Sequence, residues 1–133
     1  MSDIAEFLRA RYAEQRALAE AARDGNWDFK PYPPLEVGGD PVKYEAMMAR
    51  VRFVEALQPS QVLADLDAKL AILDEHPATR DVIAEKPDGL HGFGCATCHQ
   101  DEGLIIGYGW CRTLRLLAVP FAAHPDYDER WRP

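Results

Sequence analysis

The sequence predicts a mainly α fold: about four helices, with a small zinc-bound β-hairpin between the third and the fourth. Three observations lead there. Apolar residues recur at helical spacing in long segments that open on a capping residue or a proline. Proline and glycine concentrate between those segments, where they break regular structure. All three cysteines fall in one glycine-rich stretch, HGFGCATCHQDEGLIIGYGWC, from His91 to Cys111. With 133 residues the chain can build a modest core, and a single domain over 1–133 is expected.

The first helix is expected over about 3–24. Asp3, with Glu6 three residues on, is a capping-box-like start. Ile4, Phe7, Leu8, Tyr12 and Leu18 recur near helical spacing, alanine is frequent, and Gly25 with Asn26 ends the segment. WDFKPYPPLEVGGD follows, and its three prolines exclude a helix. Its aromatics Trp27, Phe29 and Tyr32 are expected to pack this connection onto the core. Asp40 before Pro41 starts the second helix, about 41–57, as an N-cap with proline in the first turn. Its apolar residues, Val42, Met48, Val51, Phe53, Val54 and Leu57, can complete the core or serve a dimer.

Pro59 opens the third helix, about 59–76, with Val62, Leu63, Leu66, Leu70 and Leu73 as a buried stripe. Pro77 ends it by disfavouring helical backbone at His76. A loop containing KPDG leads into the cysteine-rich stretch. There LIIGYGW has strand-forming residues and QDEG can turn, so a zinc-binding hairpin is expected over about 91–111. The last helix, about 111–123, carries Leu114, Leu116, Leu117 and Phe121, and Pro120 kinks it or ends its regular part. HPDYDERWRP is a polar tail anchored by Tyr127 and Trp131.

Composition narrows the function. No apolar run approaches the roughly 18–20 residues of a membrane helix, so no membrane association is expected. The N-terminus meets an acid at once and has no basic region leading into an apolar one, which places the expected location in the cytoplasm. In that reducing setting an odd count of three cysteines does not make a disulfide framework. The net charge is −7, and most of the excess lies from Asp65 to Glu102, where nine acids meet three bases. Nucleic-acid binding normally shows a basic patch. The basic concentrations here, Arg9, Arg11 and Arg16 in the first helix and Arg112 and Arg115 in the last, read as solvated helix faces.

Cys95-Ala96-Thr97-Cys98-His99 admits four readings. Cys-x-x-Cys-His is the attachment pattern of c-type haem, which takes an export route and usually a second axial ligand. A thioredoxin-like redox pair sits at a helix N-terminus in a βαβ setting, whereas this pair sits among glycines before a hairpin. Plain buried thiols are common, but a two-residue spacing is not their signature. Zinc fits best: the pair presents two thiolates to one ion from a tight turn, and the hairpin returns Cys111 beside them at a helix start, where the dipole favours its charge. A structural zinc site takes four ligands. His99 directly follows a ligand and tends to point elsewhere, and His124 lies too far along the last helix. His76 and His91 fit about equally, and spacing leaves both open.

Several segments together resemble a family of small proteins of unknown function from actinobacteria and their phages. They are FLRARYAEQ (Phe7 to Gln15), PSQVLADLDAKLAILDEH (Pro59 to His76), the Cys95/Cys98 pair, and above all CRTLRLLAVPFAAHPDYDERWRP (Cys111 to Pro133). They cover about half the chain, and Lys30 to Leu57 has no obvious counterpart. In that family the helix end at His76, the cysteine pair and the cysteine opening the last helix recur together. The resemblance therefore implies a ligand set of His76, Cys95, Cys98 and Cys111, and suggests a phage or actinobacterial source. It implies no activity.

The expected function is that of a small cytoplasmic protein with a structural zinc, which acts by binding a protein partner and is not an enzyme. The acidic middle suits a basic partner, and a phage-related modulator of a host protein is one form this could take. The alternative is a zinc-containing nucleic-acid-binding protein or transcriptional regulator, with Arg112 and Arg115 on its binding face. A zinc hydrolase, with Asp101 or Glu102 as base, lacks any His-Glu-x-x-His or His-x-Glu pattern.

Overall fold

The computed structural model describes residues 3–23, 40–82 and 92–133. The connection with Trp27, Phe29 and Tyr32, and the loop with KPDG and His91, lie outside the described residues. The fold is mainly α, with four helices: α1 (Ile4–Arg23), α2 (Pro41–Ala56), α3 (Pro59–Asp74) and α4 (Arg112–Ala118). No described helix is long and apolar enough to cross a membrane.

The helix starts follow from local chemistry. The Asp3 carboxylate accepts the Ala5 N–H at 2.8 Å, and the Asp40 carboxylate accepts the Val42 N–H at 2.9 Å ahead of Pro41. Each satisfies a backbone donor that the first helical turn leaves without a partner. α3 tightens at its end, where the His76 N–H bonds the Leu73 carbonyl at 3.2 Å before Pro77. Regular α4 stops at Ala118, and Val119–Phe121 continues as a 3₁₀ turn around Pro120, whose nitrogen has no hydrogen to donate.

Among the described residues, four two-residue strands lie between α3 and α4. β1 (Ala78–Thr79) pairs antiparallel with β2 (Gly94–Cys95), in the register Ala78 to Cys95. β3 (Gln100–Asp101) pairs antiparallel with β4 (Leu104–Ile105). Instead of one hairpin over 91–111, β2 thus reaches back to the segment after His76, and the hairpin proper runs only from Gln100 to Ile105. Its two-residue turn, Glu102–Gly103, has φ of 48° and 84°, the left-handed pair that matches the twist of a tight hairpin.

Two compact units divide the chain: residues 1–14 with 67–133, and residues 15–66. The first has an aromatic centre. Phe7 of α1 meets the rings of Trp131 at 4.9 Å, Phe121 at 6.1 Å and Tyr127 at 6.2 Å, and Tyr12 meets Phe121 at 6.0 Å. Trp131, Ile4, Leu8 and Ala118 of α4 are fully buried, with Leu114 nearly so. The Arg11 guanidinium lies over the Phe7 ring at 5.2 Å, 2.7 Å from His124 Nε2 and ion-paired with Glu14. The terminal HPDY…WRP segment therefore serves to seat the tail against the start of α1.

In the second unit Ala19, Pro59 and Leu66 are buried, but α2 buries none of its residues. Val42 and Phe53 are 77% and 66% exposed, and Leu18 of α1 is 73% exposed. The reason is angular. At 3.6 residues per turn Val42 and Phe53 fall on the side of the helix opposite Val51, so the apolar residues of α2 do not form one stripe. In α3 Leu66 and Leu73 are buried, while Val62, Leu63 and Leu70 are half-buried.

Trp131→Ala is expected to destabilise the protein by about 3–5 kcal/mol in denaturant unfolding, the usual cost of deleting a buried aromatic. Trp131→Phe should cost far less, because the buried indole N–H has no hydrogen-bond partner among the described residues and none is lost.

Candidate metal centre

The β1–β2 register builds the site. It sets Cys95 opposite Ala78, two residues after His76. Ala96 N–H donates to the Pro77 carbonyl at 3.0 Å, and the Thr97 hydroxyl donates to the Glu75 carbonyl. These contacts fasten the turn Ala96–His99 to the end of α3. Further along, the Phe93 and Trp110 rings lie 4.3 Å apart, and Gly109 N–H donates to the Phe93 carbonyl at 2.6 Å. Phe93 precedes Cys95 by two residues and Trp110 precedes Cys111 by one, so this pair draws the third cysteine to the first two.

The result is a convergence of four side chains. His76 Nδ1 is 3.5 Å from Cys95 Sγ, 3.2 Å from Cys98 Sγ and 3.9 Å from Cys111 Sγ. All four donor atoms lie within 4.8 Å of one another, and the three cysteines are unpaired. One imidazole nitrogen has a single lone pair or a single hydrogen, so it cannot bond three sulfurs. A cation shared by the four would account for the geometry. A tetrahedral zinc ion with bonds of about 2.0–2.3 Å sets its donors roughly 3.5–3.8 Å apart, close to what is found here. The spacing alternative His91 lies outside the described residues.

Burial also argues for a cation. Cys95 and Cys111 are buried, and Cys98 is exposed. Burial pushes the metal-free Cys111 thiol up to about 12, the Leu114 backbone amide offsets part of that, and the facing Cys95 and Cys98 sulfurs add to it. The Cys111 thiol is thus held protonated until a metal takes the place of its proton. His76 and the three cysteines would hold the metal. In this site the ion would supply cross-linking, because four protein donors fill a tetrahedral shell and leave no position for water or substrate.

His99 is the residue that spacing arguments passed over. Its Nδ1 accepts the Cys95 N–H at 2.9 Å, its own N–H donates to the Cys95 carbonyl at 3.1 Å, and its carbonyl accepts the Ile106 N–H at 2.9 Å. Burial lowers its pKa, which keeps the ring neutral and Nδ1 free to accept. Two glycines make room for it: a Cβ at Gly107 would lie 2.5 Å from the His99 ring, and a Cβ at Gly94 would lie 2.6 Å from the Gly107 carbonyl oxygen. His99 thus points under the hairpin and away from the site, as a residue directly after a ligand tends to.

Fold and site together define a small helical protein with a His/Cys₃ cluster able to hold a metal ion. The chain belongs to a family of unknown function, DUF6221, whose match spans residues 1–133. No curated protein and no solved structure matches the chain.

His99→Ala is expected to weaken zinc binding by about 10–100-fold, the usual effect of removing a group that orients a ligand. Competition against a chromogenic chelator would measure it, and Gly107→Ala should show a similar loss by displacing the ring. Because metal must displace the Cys111 proton, zinc affinity in the same assay should fall at least about tenfold per pH unit of acidification across the neutral range.

Proposed function

We propose that this chain is a cytoplasmic protein that holds one structural zinc ion through His76, Cys95, Cys98 and Cys111, and that it acts by binding a protein partner rather than by catalysis. The observation that carries the zinc reading is the spacing of three sulfurs about one imidazole nitrogen, at 3.2, 3.5 and 3.9 Å. Three thiolates and one imidazole are the soft and borderline donors zinc prefers, and a filled shell suits a structural role. Charge supports the partner reading. Asp74, Glu75, Asp81, Asp101 and Glu102 are all exposed, and Asp101 and Glu102 stand at the tip of the hairpin. Such a surface favours a basic partner and disfavours a nucleic-acid backbone. Of the two arginines that the competing nucleic-acid reading needs, Arg115 donates to the Arg132 carbonyl at 3.3 Å and so helps seat the tail.

Native mass spectrometry of protein purified without a metal-binding tag is expected to show one zinc per chain. Chelation should remove it together with part of the helical circular dichroism and the amide dispersion of residues 92–111. Metal-free protein from a reducing preparation would overturn the zinc reading. For the partner, affinity capture should recover basic proteins with the native chain and lose them with the charge reversals Asp101→Lys and Glu102→Lys. Low-salt retention on DNA that Arg112→Ala abolishes would favour the nucleic-acid reading instead.

A further inference from the structure

The four donors are not equally sheltered. Cys95 and Cys111 are buried, whereas Cys98 is exposed. Thiol oxidation follows thiolate character and access, so Cys98 is the accessible cysteine of the site while the other two are screened. The exposed sulfur also has a near partner. Cys95 and Cys98 are three apart across a turn, and all the donor atoms lie within 4.8 Å. Ends of a turn fall under about 7 Å between Cα atoms, within reach of the roughly 4.4–6.8 Å that disulfides span.

We propose that the site is an oxidant-responsive zinc switch in which Cys98 is the residue attacked and Cys95 the residue that resolves it. This rests on the zinc reading above. The oxidant is a peroxide. The Cys98 thiolate attacks one peroxide oxygen, the O–O bond breaks, hydroxide leaves, and Cys98 becomes a sulfenic acid. The Cys95 sulfur then attacks Cys98 Sγ, the S–O bond breaks, a second hydroxide leaves, and the disulfide forms. Two electrons pass from the sulfurs to the peroxide. Zinc loses two of its four donors and departs, and Cys111 takes up a proton. The new disulfide closes on the turn itself. It does not replace the link the metal makes between His76 at the end of α3 and Cys111 at the start of α4, so oxidation releases that link.

The test uses the zinc-loaded full-length protein, its metal counted by native mass spectrometry before any oxidant is added. Hydrogen peroxide is then titrated in the presence of a chromogenic zinc chelator, and the products are alkylated and mapped by peptide mass spectrometry. The expected result is one zinc released per Cys95–Cys98 disulfide formed, with Cys111 still alkylatable and zinc binding restored by a thiol reductant. In a brief pulse of iodoacetamide, Cys98 should be labelled first. Retention of zinc while peroxide oxidises methionines, or a first disulfide that includes Cys111, would overturn the switch and leave the structural zinc intact. A chain that carries no zinc at the outset would overturn the zinc reading and the switch with it.

Discussion

Three sulfurs held about one imidazole nitrogen are unstable company without a cation. As thiolates they repel one another in a setting from which water is partly excluded, and as thiols they gain little from being so close. The upward displacement of the Cys111 thiol to about 12 is the same conflict seen from the proton's side. A divalent ion would relieve it, because it would offset most of the charge and bond all four donors. The arrangement of residues 76–82 and 92–111 is legible as the set of backbone contacts that makes this convergence possible.

Those contacts come from two directions. On one side β1 pairs with β2 directly after α3, and the Ala96 and Thr97 bonds to Pro77 and Glu75 fasten the turn to the end of the helix. On the other side the Phe93–Trp110 ring pair closes the loop whose ends carry Cys95 and Cys111. α4 then leaves the site and reaches the aromatic centre, where Phe121 meets Phe7 and Tyr12. One short helix is in this way set at its start by the candidate metal site and at its far end by packing against α1.

How much of this was legible in the sequence depended on whether the cause was local. Helix starts were, because Asp3 and Asp40 cap with their own side chains and need no distant partner. The three cysteines were legible as a ligand group through their spacing. The place of His76 in the cluster was not, because it depends on pairing Ala78–Thr79 with Gly94–Cys95 across a gap of more than a dozen residues, and strands of two residues carry no periodic pattern. The resemblance to a family, not the spacing, pointed to His76. For α2 the sequence left core and dimer open, and the angles of its apolar residues around the helix account for its exposure. His99 was legible as a residue that points away from the site, but not as the acceptor of the Cys95 N–H, an interaction set by the path of the chain and not by residue type.

The shortness of the strands decides what holds this region together. A two-stranded ribbon is marginal on its own even at ordinary length. Here each strand has two residues, and the bonds that fasten the turn are few. At a net contribution of about 0.5–1.5 kcal/mol per hydrogen bond, they fall short of the cost of ordering the residues they join, about 1–2 kcal/mol each for the backbone alone. Zinc bound by finger-type peptides contributes about 10–16 kcal/mol at neutral pH, enough to reverse that balance. The aromatic centre needs no such help, since Trp131, Leu8 and Ile4 are buried against one another's neighbours in the same unit. With zinc bound as proposed, the order of residues 92–111 would be tied to the metal while the aromatic centre is tied to apolar burial, and an agent that reaches Cys98 would act on the first without touching the second.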